Sequence, residues 1–157
     1  MLNVGVIGYG YWGPNIVRNF SAASGSQVTM VCDMNQQTLK KVKNLYPQVR
    51  VTSDCDELIK DPAVDAVAIA TPVFTHYELA KKALDAGKSV FVEKPFTYTV
   101  AEGEELVELA EKKKLKIMVD HTFLYTGAVK KIKQLVEDNV LGDLYYFDSV
   151  RVNLGLF

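Results

Sequence analysis

Three glycines, Gly8, Gly10 and Gly13, stand at the spacing G-x-G-x-x-G within VGVIGYGYWGPNIVRNF, between a β-branched run and a segment with helical spacing. No other feature constrains the fold as tightly, because the pattern suits a strand that turns sharply into a helix. Each glycine has a separate physical reason: Gly8 for the tight turn, Gly10 so that a pyrophosphate can approach the backbone, Gly13 so that helix and strand can pack closely. The amides of Tyr11 and Trp12 would then face the phosphates at the helix N-terminus. Pro14 falls in the first turn, where a missing N–H is tolerated. A purely structural turn would need glycines too, so the surroundings matter. Here LNVGVI supplies the strand, PNIVRNF continues the helix, and an acid, Asp33, ends the next strand about 20 residues on.

Asp33 can accept two hydrogen bonds from adenosine ribose hydroxyls and would repel a 2′-phosphate. Its neighbours Met34 and Asn35 offer no arginine for such a phosphate. The sequence therefore predicts NAD as cofactor, in preference to NADP. The competing reading makes Asp33 the N-cap of NQQTLKKVKNLY.

Along the chain, short β-branched runs alternate with helical spacing, the signature of βαβ units and a parallel sheet buried on both faces. Strands are predicted at Leu2–Ile7, Gln27–Cys32, Val49–Thr52, Ala66–Ala70, Ser89–Val92 and Ile117–Asp120. Ile16, Val17 and Phe20 share a helix face, as do Val129, Ile132, Leu135 and Val136, and both stripes are predicted to be core. Thr99 and Glu102 have capping-box spacing at the start of TVAEGEELVELAEKKK, whose lysine end suits a helix C-terminus. Asp61-Pro62 predicts a break before the fourth strand, and Gly87 a helix stop before the fifth. The fold class is α/β, a doubly wound parallel-sheet Rossmann domain over residues 1–121. Residues 122–157 begin a second, α+β domain for substrate and oligomer contacts, expected to be truncated here. In that second part Leu144 to Val152 alternates as a long strand with no sheet of its own to join. Such an edge predicts pairing with a second copy of the chain, a homo-oligomer.

The bulk numbers exclude several classes. A formal net charge of -1 gives no field for nucleic acid or an anionic membrane. The lysines at 40, 41, 43 and 112–114 interleave with apolar helical positions and read as solvated helix faces. MLNVGVIG lacks a basic n-region and a cleavage site, and no apolar run approaches a membrane span, so a cytoplasmic location is expected. Cys32 and Cys55 form no CxxC, which argues against a disulfide framework or structural zinc. His76 and His121 lie too far apart in sequence to suggest a metal site, and no metal is predicted.

Two further loops follow strands at the sheet edge where open α/β sheets bind ligands: ATPVFTH and VEKPF. A lysine beside a proline there can present its ammonium at a fixed angle to a substrate hydroxyl, with Glu93 to orient it. Equally, Lys94 could be an ordinary solvated charge.

Gly8, Gly10 and Gly13, Asp33, Thr71 and Pro72 with His76, and Glu93-Lys94-Pro95 together resemble the glucose-fructose oxidoreductase, inositol dehydrogenase and rhizopine catabolism (Gfo/Idh/MocA) oxidoreductases, over about residues 2–157. The resemblance implies a Rossmann domain followed by an open antiparallel domain that binds a sugar or polyol. It implies that Lys94 contacts the reacting hydroxyl as the catalytic lysine. It places Thr71, Pro72, His76 and Glu93 beside the nicotinamide end of the cofactor, with Lys94 also in contact with the cofactor. The plainer alternatives are an N-cap for Thr71 and a helix-start residue for His76. Within the family, GYGYWGPNIVRNF and VDHTFLYTGAVKKIKQLV with LGDLYYFDSVRVNLG look similar to nucleotide-sugar 3-dehydrogenases of the UDP-N-acetylglucosamine or uronic acid type. His121 ends the sixth predicted strand, either near the active site or packed under its loop.

The family's second domain supplies an Asp and a His, the His as acid/base partner of the lysine, and nothing in these 157 residues matches them. The expected activity is NAD-dependent oxidation of a secondary sugar hydroxyl, with this chain able to bind NAD but not to turn over. The rival is a non-catalytic NAD-binding or sensing module; an aspartate-pathway reductase would not call for TPxxxH followed by EKP.

Overall fold

The computed structural model describes residues 1–150 and 152. Its sheet has six parallel strands, β1 (Leu2–Ile7), β2 (Ser26–Cys32), β3 (Arg50–Thr52), β4 (Ala66–Ile69), β5 (Ser89–Val92) and β6 (Ile117–Val119), in the order β3-β2-β1-β4-β5-β6. Successive side chains of a strand face opposite ways, and both faces here are covered. Val4 and Val6 of β1 and Ala68 of β4 enter one core, while Ile7, Val67 and Ile69 enter the other. Helices α1 (Gly13–Ala22) and α2 (Gln36–Leu45) close the first face with Ile16, Val17 and Val42. Helices α3 (Cys55–Lys60), α4 (His76–Asp85) and α5 (Val100–Lys113) close the second with Leu58, Leu84 and Leu106, all fully buried. Each such leucine contributes on the order of 2 kcal/mol by leaving water.

One irregularity decides which face β2 serves. Val4 pairs with Val28 but Gly5 pairs with Met30, so Thr29 is an extra residue in β2. The bulge sends Met30 and Cys32 to the face of Ile7, where regular alternation would have left Met30 beside Val28. Its cost is visible: among the described residues the buried Thr29 hydroxyl finds no hydrogen-bond partner, a loss of about 1–3 kcal/mol.

The helix ends follow local chemistry. Asn35 caps α2 by accepting from the amides of Gln37 and Thr38. The Thr99–Glu102 capping box forms at α5, and the Gly87 amide closes α4 on Leu84 O at 2.9 Å. Helix α3 was not foreseen in the sequence. Its six residues are too few to show periodicity, and its Asp54 N-cap, accepting from Asp56 N, is the signal that could have found it. Strand ends shift by a residue or so: β2 begins at Ser26, β3 at Arg50, β4 ends at Ile69 and β6 at Val119.

The chain divides into two compact units, Met1–Asp120 and His121–Phe157. The second holds a 3₁₀ turn (Thr122–Tyr125) and helix α6 (Gly127–Glu137). Two expectations fail here. The α6 stripe is not core: no residue of the helix is buried, and Ile132 and Val136 are exposed. The expected strand from Leu144 is absent through Val150 and at Val152, because a strand exists only through a ladder and no described residue pairs with it. Arg151 and the stretch 153–157 of that prediction lie outside the described residues. Among the described residues no helix is long and apolar enough to cross a membrane.

Candidate dinucleotide site

The strand order reverses between β1 and β4, and the loops after β1, β2, β4 and β5 converge at that carboxyl edge. Gly8 has φ +93, and a Cβ on it would stand 2.6 Å from Ala70 O; on Gly13 it would stand 2.3 Å from Gly8 O. These two glycines are therefore required by the protein's own packing. At Gly10 an added Cβ meets nothing within 4 Å, so bare backbone is left open to a ligand. No side chain caps α1 and its first turn carries no acid, so the positive end of the helix dipole faces outward unshielded. This arrangement fits a pyrophosphate. The rings of Tyr11 and Trp12 meet edge to face at 5.4 Å and stand exposed.

Asp33 is built into the same loop. Its Oδ2 accepts from the Tyr9 amide at 2.8 Å and its Oδ1 from the Asn35 amide at 2.8 Å. Because Asn35 caps α2, the capping reading of Asp33 is excluded. Each carboxylate oxygen keeps lone-pair capacity for a ribose hydroxyl, and the Tyr9 bond fixes the acid relative to the glycines.

The TP and EKP loops are joined by His76, in a way the sequence did not reveal. The first residue of α4, it is 1% exposed, with Nδ1 2.9 Å from Pro95 O and Nε2 2.8 Å from Thr71 O. Both ring nitrogens lie within hydrogen-bond distance of a backbone carbonyl, so the structure places His76 as a staple beneath the two loops, where the resemblance had implied a cofactor contact. Thr71 lines the Gly8 turn, its Cγ2 3.0 Å from where a Gly8 Cβ would be, and it caps no helix through its side chain. Pro72 is exposed beside it.

Glu93 and Lys94 follow β5 and continue into a cis Lys94–Pro95 bond. Glu93 is buried, and its Oε2 accepts from the Lys94 backbone amide at 3.2 Å. It fixes the backbone of Lys94, where the sequence had suggested that it orients the ammonium. Val92 pairs with Val119, so Glu93 and Asp120 follow in register on neighbouring strands. Burial, and after it the Asp120 carboxylate, push the Glu93 carboxyl above the ordinary glutamate range. Lys94 is exposed, and no described side chain hydrogen-bonds its ammonium. His121 is exposed and not packed under its loop.

Sequence reasoning also missed a pair: Cys32 and Cys55 bring their Sγ atoms to 3.3 Å. Nothing in their spacing could show this, since it depends on α3 crossing the end of β2.

A glycine turn with open backbone at the switch point, an uncapped helix start and an acid bonded into the loop define a dinucleotide-binding protein of the Rossmann type. Known proteins agree. Residues 2–121 match the Gfo/Idh/MocA family, described as an oxidoreductase family with an NAD-binding Rossmann fold, and the chain belongs to that family. The uncharacterized oxidoreductase YdgJ of Escherichia coli is 38% identical over 148 residues, 94% of this chain and 42% of YdgJ. The scyllo-inositol 2-dehydrogenase (NADP(+)) IolW of Bacillus subtilis is 31% identical over 148 residues, 91% of this chain and 39% of IolW. Among solved structures, biliverdin reductase from Synechocystis sp. PCC 6803, in complex with biliverdin and NADP+, superposes with TM-score 0.79 at 32% identity, covering 87% of this chain and 43% of that one. The chain thus spans about two-fifths of the length of these relatives.

Proposed function

We propose that this chain is the cofactor-binding part of an NAD-dependent dehydrogenase that oxidises a secondary hydroxyl of a sugar or polyol, with a nucleotide-linked sugar as substrate. Lys94 carries the reading: a lysine with an exposed ammonium on a backbone fixed by Glu93 and by the His76 staple, at the edge where the dinucleotide loop opens. A merely solvated charge would need no such support. When bound, NAD supplies a hydride acceptor. Gly10 and the start of α1 hold the pyrophosphate, Asp33 holds the ribose, and the Lys94 ammonium binds the substrate hydroxyl and stabilises the alkoxide as its proton leaves. The proton acceptor falls to the second domain, as the resemblance implies. IolW and the Synechocystis reductase are named with NADP, yet here the Asp33 carboxylate, with no arginine at Met34 or Asn35, favours NAD. The apolar residues from Leu144 support pairing of that segment with a second copy.

In the turnover-competent protein, Lys94→Ala is expected to lower kcat about 10²- to 10⁴-fold while the thermal midpoint and the NAD dissociation constant hold. Unchanged kcat would remove Lys94 from the chemistry, and a full-length protein that binds NAD without turning over any sugar or polyol would move it to the sensing-module reading.

A further inference from the structure

Cys32 and Cys55 are free, belong to different elements, and take no part in the function proposed above. Cys32 ends β2, is 1% exposed and immediately precedes Asp33; Cys55 opens α3 and is partly exposed. We propose that the two thiols, whose Sγ atoms lie 3.3 Å apart, form a peroxide-reactive pair that closes to an intrachain disulfide and thereby weakens nucleotide binding at the adjoining Asp33.

The environment divides the roles. Either sulfur can donate in the contact of the pair. That contact, with the Lys82 ammonium of α4, brings the Cys55 thiol down to about 7 against burial and the Asp54 and Asp56 carboxylates. The contact with Cys55, burial, the charge of Cys55 and the nearby Asp33 and Asp54 hold the Cys32 thiol far above the ordinary range. Cys55, the more accessible sulfur and the one beside the Lys82 ammonium, is the attacking thiolate. It attacks one oxygen of hydrogen peroxide. The O–O bond breaks, Cys55 becomes a sulfenic acid, and the hydroxide that leaves takes up the proton that Cys55 gave to solvent on ionising, forming the first water. Cys32 then gives up its proton as its sulfur attacks Cys55 Sγ, forming the S–S bond and expelling water. One peroxide and two thiols yield one disulfide and two waters, with two electrons passing from sulfur to oxygen.

A covalent bond requires the sulfurs to approach more closely than hydrogen-bonded contact. The displacement falls on the first turn of α3 and on the end of β2. The next residue there is Asp33, whose carboxylate is held by single bonds to the Tyr9 and Asn35 amides. This last step rests on Asp33 binding the ribose, as proposed above.

The test treats the reduced chain with hydrogen peroxide across pH 5 to 9 and follows free thiols, intact mass, a proteolytic map and NAD titration. The expected result is loss of both thiols, a mass lower by two hydrogen atoms, a Cys32–Cys55 crosslink within one chain, and a rate that rises with pH at lower pH than for an ordinary cysteine. NAD should bind about tenfold more weakly until dithiothreitol restores it. Cys55→Ser should keep its Cys32 thiol and bind NAD as the reduced wild type does, before and after peroxide. Two thiols surviving excess peroxide, a crosslink only between chains, or sulfinic acid as the product would overturn the proposal. Equal NAD affinity of reduced and disulfide forms would overturn the link to Asp33. A reduced protein that binds no NAD would remove the cofactor reading and that link together, while the thiol chemistry would still be decided by mass.

Discussion

Residues 1–120 and 121–150 both carry apolar side chains at regular spacing, with opposite outcomes. In the first unit the alternation of β1 and β4 and the stripes of α1, α4 and α5 enter two cores on two faces of one sheet, with Phe20, Leu79 and Leu109 partly buried at their margins. In the second no residue of the α6 stripe is buried, and the described residues after Gly142 form no strand. The lesson is that a periodic pattern specifies a face, whereas burial needs a second surface to cover it. In a βαβ succession each element supplies the cover for the last, so the pattern completes itself locally. In the second unit the described residues supply none.

The largest test of this contrast is truncation. Leu84→Ala, at a fully buried position, should cost about 2–5 kcal/mol in urea unfolding. Ile132→Ala, at a position 47% exposed, should cost less than about 0.5 kcal/mol. Equal costs would break the distinction between the units.

Next in size, the comparison sharpens within the glycine loop itself. Gly13→Ala places a Cβ 2.3 Å from Gly8 O, backbone that cannot yield cheaply, and should destabilise by about 1–3 kcal/mol. Gly10→Ala meets no protein atom, so its melting temperature should hold while NAD binding weakens at least about tenfold. A destabilised Gly10→Ala that still bound NAD normally would contradict the assignment of that open backbone to the pyrophosphate.

The smallest effect is a pH dependence. Glu93 is held above its ordinary range in the folded state, so folding takes up a proton over the interval from about 4.5 upward. The contribution of Glu93 is fully present below the unfolded value and is lost as pH rises through the folded one. Glu93→Gln should flatten that fall in the urea midpoint. If both proteins show the same slope across this interval, the raised Glu93 is wrong.

Much of this was legible in the sequence because its causes are local. The six strands, the Gly8–Gly13 turn, the Thr99–Glu102 box and the Gly87 stop each depend on residues adjacent in the chain. The Asp33 acid was placed by its distance from the glycines, but its bond to the Tyr9 amide was not, since that requires β1 and β2 to be neighbours. The burial of His76 between Thr71 O and Pro95 O, and the contact of Cys32 with Cys55, arise only once α4 and α3 cross particular strand ends. The bulge at Thr29 was equally hidden, as β-branched residues read the same on either side of it. Lys94 was found by motif. What makes it distinctive, a backbone fixed by Glu93, belongs to the fold.

The central claim is that residues 1–120 build an NAD site read by Asp33. Calorimetric titration of the reduced chain with NAD and with NADP tests it most directly. The account predicts NAD binding preferred at least about tenfold over NADP, with Asp33→Ala erasing that preference. Tighter binding of NADP to the unaltered chain, or binding of neither, would contradict it.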